Sequence, residues 1–287
     1  MPAFSSPIPV VLTIAGFDPT SGAGLSADLK SLAANNCYGV ACISAITVQN
    51  TTATRRYQAV AADLLEEQLE CLLSDIAPRA VKIGMLGSAA NIEVVARSIE
   101  KFSLKSVVLD PVLQSTSGLP LLDAKGIKAL QQRLCPLVTV ITPNLAEAES
   151  LTGIEVSTLA QMQAAADALR GFGTPNVVVT GGHLDKPIDV YFDGVTTLNY
   201  SGDRIRTPHD HGTGCSFSSA LAANLAHGRK MSDAIVQAKA YVTAALRQAY
   251  PIGKGRGPLN HLFRLQEPMR SKNVDPAPQQ HAPHGNG

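Results

Sequence analysis

Short β-branched runs alternate along this chain with segments of helical periodicity, and that rhythm restricts the fold more than any other feature. Predicted strands at Pro9 to Ala15, Val40 to Thr47, Ala80 to Ile83, Ser106 to Leu109, Val138 to Ile141 and Asn176 to Val179 interleave with helical patterns. Those helices are expected at Gly22 to Asn35, Asp63 to Ser74, Ala89 to Lys101, Ala124 to Leu134, Leu145 to Leu151 and Leu159 to Arg170. Such alternation builds βαβ units and a mainly parallel sheet with helices on both faces, an α/β fold. The rhythm then changes: Val190 to Phe192, Val195 to Tyr200 and Asp203 to Arg206 are separated by Asp193-Gly194 and Ser201-Gly202, which are hairpin signals for an antiparallel edge. Helices at Gly214 to Ala226 and Ser232 to Tyr250 follow. From Glu267 the chain has almost no apolar content, so one domain over 1–266 and a disordered tail over 267–287 are expected.

Charge excludes some functions. With 24 basic and 23 acidic side chains, a net charge of +1 supplies no field for a polyanion or an acidic membrane, so nucleic acid and membrane are not expected partners. Five scattered cysteines without a Cys-x-x-Cys pair argue against a disulfide framework or zinc site and suit a reducing, cytoplasmic setting. The apolar stretch from Ile8 to Ala15 lacks a basic leader and reads as the first strand. No apolar run reaches the roughly 18 to 20 residues that cross a bilayer.

Glycine-rich turns then suggest a ligand site. Gly22-Ala23-Gly24-Leu25-Ser26-Ala27 follows a strand and opens a helix, but the acidic ribose partner of a dinucleotide site is missing about 20 positions on. Close approach of backbone to a small substrate is the better use of that turn, with Asp18 or Asp28 as an anchor; its plain alternative is a helix start at Ser21. A P-loop sequence occurs nowhere. His211-Gly212-Thr213-Gly214-Cys215-Ser216 precedes an apolar helical run, so its backbone N–H groups and the helix dipole form an anion hole. That field is expected to lower the Cys215 thiol pKa, allowing Cys215 to take a proton from a substrate alcohol or to orient it. A buried structural cysteine is the competing interpretation.

Thr142-Pro143-Asn144-Leu145-Ala146-Glu147 ends another buried strand, where open α/β sheets bind ligands. Asn144 and Glu147 share one helical face and suit a hydrated Mg²⁺, or form a capping box, and the two roles can coexist. Asp110 ends a neighbouring strand and is a second metal or phosphate-side carboxylate, or a turn Asp before Pro111. Lys82, Thr180-Gly181-Gly182-His183 and Gly253-Lys254-Gly255 occupy strand-end or Gly-rich positions and are singly uninformative.

Together, Thr13-Ile14-Ala15-Gly16-Phe17-Asp18-Pro19, Gly22-Ala23-Gly24, Val48-Gln49-Asn50-Thr51, Lys82-Ile83-Gly84-Met85-Leu86, Ile141-Thr142-Pro143-Asn144 and His211-Gly212-Thr213-Gly214-Cys215 resemble the hydroxymethylpyrimidine and phosphomethylpyrimidine kinases of thiamin biosynthesis, in the ribokinase-like superfamily. The resemblance implies a three-layer α/β/α sandwich that moves the γ-phosphoryl of ATP, with Mg²⁺, first to 4-amino-5-hydroxymethyl-2-methylpyrimidine and then to its monophosphate. It implies that Gly16, Asp18, Ala23, Gln49, Met85 and Val112 surround the pyrimidine and that Asn144, Thr180 and Gly182 meet ATP. Asp110 and Glu147 would handle Mg²⁺, and Gly212, Thr213 and Gly214 would form the anion hole beside Cys215. Independently, the Gln49 amide offers both a donor and an acceptor to an aminopyrimidine edge. Family members commonly carry Lys where this chain has Thr180, and Lys254 is expected to cover part of that role. Relatives are often dimers, so a homodimer is an expectation of the resemblance. Other readings are a pyridoxal or pyridoxine kinase, a non-catalytic pyrimidine-binding relative, and a Cys hydrolase, for which the Cys215 segment lacks a nucleophile elbow.

Overall fold

The computed structural model describes residues 8–182 and 187–265. The expected tail from Glu267, and His183 at the end of its Gly-Gly run, lie outside the described residues. The strands are β1 (Val10–Phe17), β2 (Tyr38–Gln49), β3 (Thr54–Ala59), β4 (Ala80–Ile83), β5 (Val107–Leu109), β6 (Val140–Ile141), β7 (Asn176–Val179), β8 (Ile188–Phe192) and β9 (Thr197–Ser201). The α-helices are α1 (Gly24–Ala34), α2 (Ala62–Asp75), α3 (Ala89–Lys101), α4 (Ala124–Ala129), α5 (Leu145–Thr152), α6 (Leu159–Arg170), α7 (Thr213–Ala226) and α8 (Met231–Arg247).

Among the described residues one nine-stranded sheet runs in the order β3-β2-β1-β4-β5-β6-β7-β8-β9. Its centre from β2 to β7 is parallel, and β8 and β9 add the expected antiparallel edge. The opposite edge is antiparallel as well, because β3 returns along β2. That strand was not foreseen: Thr-Arg-Arg-Tyr-Gln-Ala is a polar, largely exposed edge without the apolar run that marks a buried strand. The strand expected at Asp203 to Arg206 does not form; this segment lies outside the sheet, along the wall of the cleft described below. The helix expected through Leu134 leaves α-helical geometry after Ala129 and continues as a wider π turn, Leu130–Leu134.

Period-two alternation sorts the strand side chains between two cores. Leu12, Ile14, Val81, Ile83, Val107, Leu109, Val177 and Val179 point to one face, where they meet α2, α3, α5 and α6. Val11, Ala80, Val108 and Val178 point to the other, against α1, α7 and α8. The result is the expected three-layer sandwich. Thr13 and Lys82 belong by the same alternation to the α1/α7 face, although neither is apolar.

Several helix starts are written locally. Ser88 accepts the Asn91 N–H at the head of α3, and Thr158 with Gln161 closes a capping box on α6. Asn91 itself is fully buried, and its amide nitrogen donates to the carbonyls of Leu86 at 2.9 Å, Ser44 at 3.1 Å and Val60 at 3.2 Å. It thereby ties β2, the lead into α2 and the loop after β4 to one point. Asn91→Ala strands the Leu86 and Val60 carbonyls, while the Ser44 carbonyl keeps the Val60 N–H at 2.8 Å, and is expected to destabilise the fold by about 2 kcal/mol, read as a lower urea midpoint at unchanged m-value.

Candidate active site

Because β1 sends one crossover to β2 and the chain later returns to β4 on its other side, the strand ends diverge around β1 and open a crevice there. A single cleft of about 1500 Å³ follows those C-terminal ends across the sheet. It is lined by Gly16, Asp18, Ala23, Gln49, Met85 and Val112 at one end and by Asn144, Glu147, Thr180 and Gly182 at the other, with Asp110 and Gly212 to Cys215 between them. The structure therefore brings together every expected site residue except Lys254.

Lys254 is kept away by its loop. Gly255 N–H donates to the Thr51 hydroxyl at 3.1 Å and Arg256 N–H to the Thr51 carbonyl at 2.9 Å, which pins the segment on the tip between β2 and β3. Thr180 directly follows β7, with β1, β4, β5 and β6 intervening, so Lys254 cannot stand in for a cation at Thr180. Cations that do line the cleft are Lys82, Lys239, Arg204, Arg206 and Arg256. Lys239 pairs with Asp189 at 2.6 Å, and Asp189 also accepts the Gly181 N–H at 3.1 Å, so α8 and β8 together set the turn after β7.

At the centre two glycine turns touch backbone to backbone. Gly212 has φ 84°, and a Cβ there would lie 1.9 Å from the Gly22 carbonyl oxygen. Gly24 has φ 58°, and a Cβ there would lie 2.3 Å from the Gly16 carbonyl oxygen. Only glycine fits either place. No side chain caps α7 at Gly212, which leaves its first-turn N–H groups uncovered by a cap, as an anion hole requires. The Thr213 hydroxyl donates to the Asp210 carbonyl at 2.6 Å and Ser216 to the Gly212 carbonyl at 2.8 Å, so these hydroxyls shape the turn instead of facing a ligand.

Asp18 secures the same junction. It accepts N–H groups of Thr20 at 2.8 Å and Ala23 at 2.9 Å, and His211 Nε2 at 2.8 Å. Burial opposes its charge, yet the bonds from His211 and Thr20 prevail and hold its carboxyl below the usual range. A ring nitrogen facing a carboxylate carries its hydrogen, so His211 Nδ1 accepts from the Thr116 hydroxyl at 3.1 Å when the ring is neutral. His211 thus links the Asp18 turn to the loop from Leu113 to Leu119. Asp28, the alternative anchor, is fully buried and outside the cleft, held by Thr13 at 2.7 Å, Ser219 at 2.8 Å and Lys82 at 2.9 Å.

The Cys215 thiol departs from expectation. Burial, with the Asp110 and Asp28 carboxylates, pushes its pKa up, outweighing the opposing pull of Lys82 and of the Gly24 N–H. The helix terminus alone favours a thiolate, but here loss of water and the nearby carboxylates prevail. Cys215 therefore favours its neutral thiol, beside Asp110. Asp110 is itself raised, first by burial and further by Asp28 against the relief from Lys82. Glu147, raised by burial and by Asp110, goes from an ordinary 4.5 to about 8. Two carboxylates that disfavour each other's charge fit a divalent cation between them, although no group of three or more His, Cys, Asp or Glu side chains poised for a metal occurs among the described residues. Glu147 and Asn144 also form a capping box, with both hydrogen bonds at 2.9 Å.

Gln49 faces the cleft with its Oε1 held by the Thr54 hydroxyl at 3.0 Å. Thr54 begins β3, so the partner that orients Gln49 came with the unforeseen strand. Met85 is 7% exposed and packs with Ala45, Leu121, Tyr57 and Val112 into a small apolar wall.

Two outcomes follow. Gly212→Ala should separate the two turns, lowering turnover by about 100-fold or more, with loss of thermal stability; steady-state kinetics and melting check both. Between the ordinary Glu147 pKa and about 8, the folded protein holds a proton that the unfolded chain has released. Without metal, this residue's contribution to stability therefore falls as pH rises through that window. Glu147→Gln should flatten this part of the melting-temperature profile, and Mg²⁺ should raise the wild-type melting temperature most near pH 8.

A family model described as phosphomethylpyrimidine kinase matches residues 18–260. The chain is 42% identical over 260 residues to a hydroxymethylpyrimidine/phosphomethylpyrimidine kinase of Rhizobium meliloti, covering 89% of this chain and 97% of that one. It is 40% identical over 259 residues to the thiamine biosynthesis bifunctional protein ThiED of Geobacter sulfurreducens, covering 90% of this chain and about half, 53%, of that longer protein. Among solved structures, the ADP complex of Bacillus subtilis pyridoxal kinase superposes with a TM-score of 0.83 at 37% identity, covering 90% of this chain and 100% of that one. With the cleft at the sheet switch point and the paired glycine turns already in place, the match across residues 18–260 means that this chain belongs to the phosphomethylpyrimidine kinase family.

Proposed function

We propose that this chain transfers the γ-phosphoryl of ATP to the 5-hydroxymethyl oxygen of 4-amino-5-hydroxymethyl-2-methylpyrimidine and then to the resulting monophosphate, in thiamin biosynthesis. The observation that carries this reading is the single cleft whose two ends meet at the Gly212 to Cys215 turn. A ring held at the Gln49 and Met85 end and a nucleotide at the Asn144 and Thr180 end converge on one anion hole. Gln49, oriented by Thr54, complements the amino edge of the ring, and the Met85 wall covers its face.

Phosphoryl transfer asks the protein chiefly for positioning and for neutralisation of charge. The uncovered N–H groups of α7 receive the phosphoryl oxygens. Asp110 and Glu147 are the residues that would hold a hydrated Mg²⁺, which when bound offsets phosphate charge. Cys215, a thiol beside Asp110, orients the acceptor oxygen, and the hydroxymethyl proton leaves late, as the new O–P bond forms, to a phosphate oxygen of the transferred group. The likeness to a pyridoxal kinase supports a second reading, phosphorylation of pyridoxal by the same machinery. A homodimer is the assembly expected from the family.

The test is ADP release at saturating ATP, expected to depend on Mg²⁺ and to be faster with the pyrimidine than with pyridoxal. No release with either pyrimidine would refute the reading, and faster turnover of pyridoxal would reverse the order of the two. Cys215→Ser keeps a hydroxyl donor toward Asp110 and should retain most of the turnover, whereas Cys215→Ala should lose about 10-fold or more.

A further inference from the structure

Lys82 lines the cleft beside Asp110, and the mechanism above leaves it without a task. Its side chain has 0% exposure, and its ammonium lies 2.9 Å from Asp28 Oδ2 and 3.7 Å from Asp110 Oδ2. Period-two alternation on β4 aims it between α1 and α7, where an apolar side chain would pack without loss of hydration. A buried ion pair is a poor stabiliser, because removal of two charges from water offsets most of their attraction. The fold alone therefore gives little reason to keep an ammonium here.

Its surroundings point to the reaction. Lys82 reaches the floor of the cleft, directly behind Asp110. Asp110 accepts the Ser218 hydroxyl at 3.2 Å, and a Cβ on Gly214, in the anion hole, would stand 4.0 Å from Asp110 Oδ1. A carboxylate this close to an incoming phosphoryl group would repel it unless a fixed positive charge stands behind it. Asp28 holds that charge in place and is held in turn by Thr13 and Ser219, each within 2.8 Å. Room for the ammonium is provided by Gly84, where a Cβ would lie 2.7 Å from Lys82 Nζ and 3.3 Å from the Ala15 Cβ.

We infer that Lys82 is a positioning residue for phosphoryl transfer: fixed by Asp28 and given space by Gly84, it orients Asp110 and neutralises the charge beneath the anion hole. This rests on the kinase reading given above. Two substitutions separate it from a structural role. The pair Lys82→Met with Asp28→Asn removes the buried ion pair at nearly constant volume, and Gly84→Ala displaces the ammonium without changing any charge. In both variants kcat for the pyrimidine should fall about 100-fold while its KM stays within about threefold. A kcat within about threefold of wild type in either folded variant overturns the inference. So does a fall in kcat, KM and melting temperature that moves together, which would mark Lys82 as structural. If the double variant does not fold, Gly84→Ala decides alone. Wild type is assayed alongside: absence of pyrimidine-dependent ADP release refutes the kinase reading itself, and if pyridoxal is turned over instead, the same comparison of kcat and KM is made with pyridoxal.

Discussion

The contact between the Gly22 to Gly24 turn and the Gly212 to Gly214 turn is the constraint on which the site depends. These turns are almost two hundred residues apart in sequence, yet the Gly22 carbonyl occupies the space a Gly212 side chain would need. Bringing two backbones this close sets the N-termini of α1 and α7 side by side and places Cys215 within reach of the Gly24 N–H. Asp18 and His211 then fasten the junction from one side, and the Thr116 hydroxyl extends it to the loop that borders the cleft. Strand order follows the same logic, since β1 and its neighbours β2 and β4 must diverge there for the crevice to exist.

Beneath the turns lies a set of charges that no single element contributes. Asp28 comes from α1, Lys82 from β4 and Asp110 from the end of β5, with Glu147 nearby on α5. One ammonium faces two carboxylates at 2.9 and 3.7 Å, and burial first, with the neighbouring carboxylates adding to it, raises Asp110, Glu147 and Cys215. The cluster is costly to bury, a cost that a buried ion pair offsets poorly. Cys215 illustrates the point: its place at a helix N-terminus favours a thiolate, but the carboxylates around it and its loss of water keep the proton on sulfur.

Much of the architecture was written in local sequence. Apolar runs on alternate strand positions gave both cores, and Ser88, Thr158 with Gln161, and Asn144 with Glu147 announced their helices through side chains that reach only three residues. The polar edge strand β3 was illegible because exposure on an edge removes the apolar signal, and with it went Thr54, the residue that orients Gln49. Lys254 was misplaced for a related reason. Its glycine-rich setting resembles a phosphate loop, but hydrogen bonds to Thr51 carry it to the far end of the sheet.

By itself, then, the sequence determined the α/β rhythm, the glycine turns, the strand-end residues and, through their combination, the family. Those features are local, since periodicity, caps and turns depend on neighbours a few residues away. Tertiary structure alone decided that the two turns would touch, that Asp28 would turn inward to Lys82 while Asp18 faced the cleft, and that Cys215 would stay protonated. Each of these depends on distances between groups far apart in the chain and on the water excluded around them, quantities fixed only when the sheet has closed its three layers.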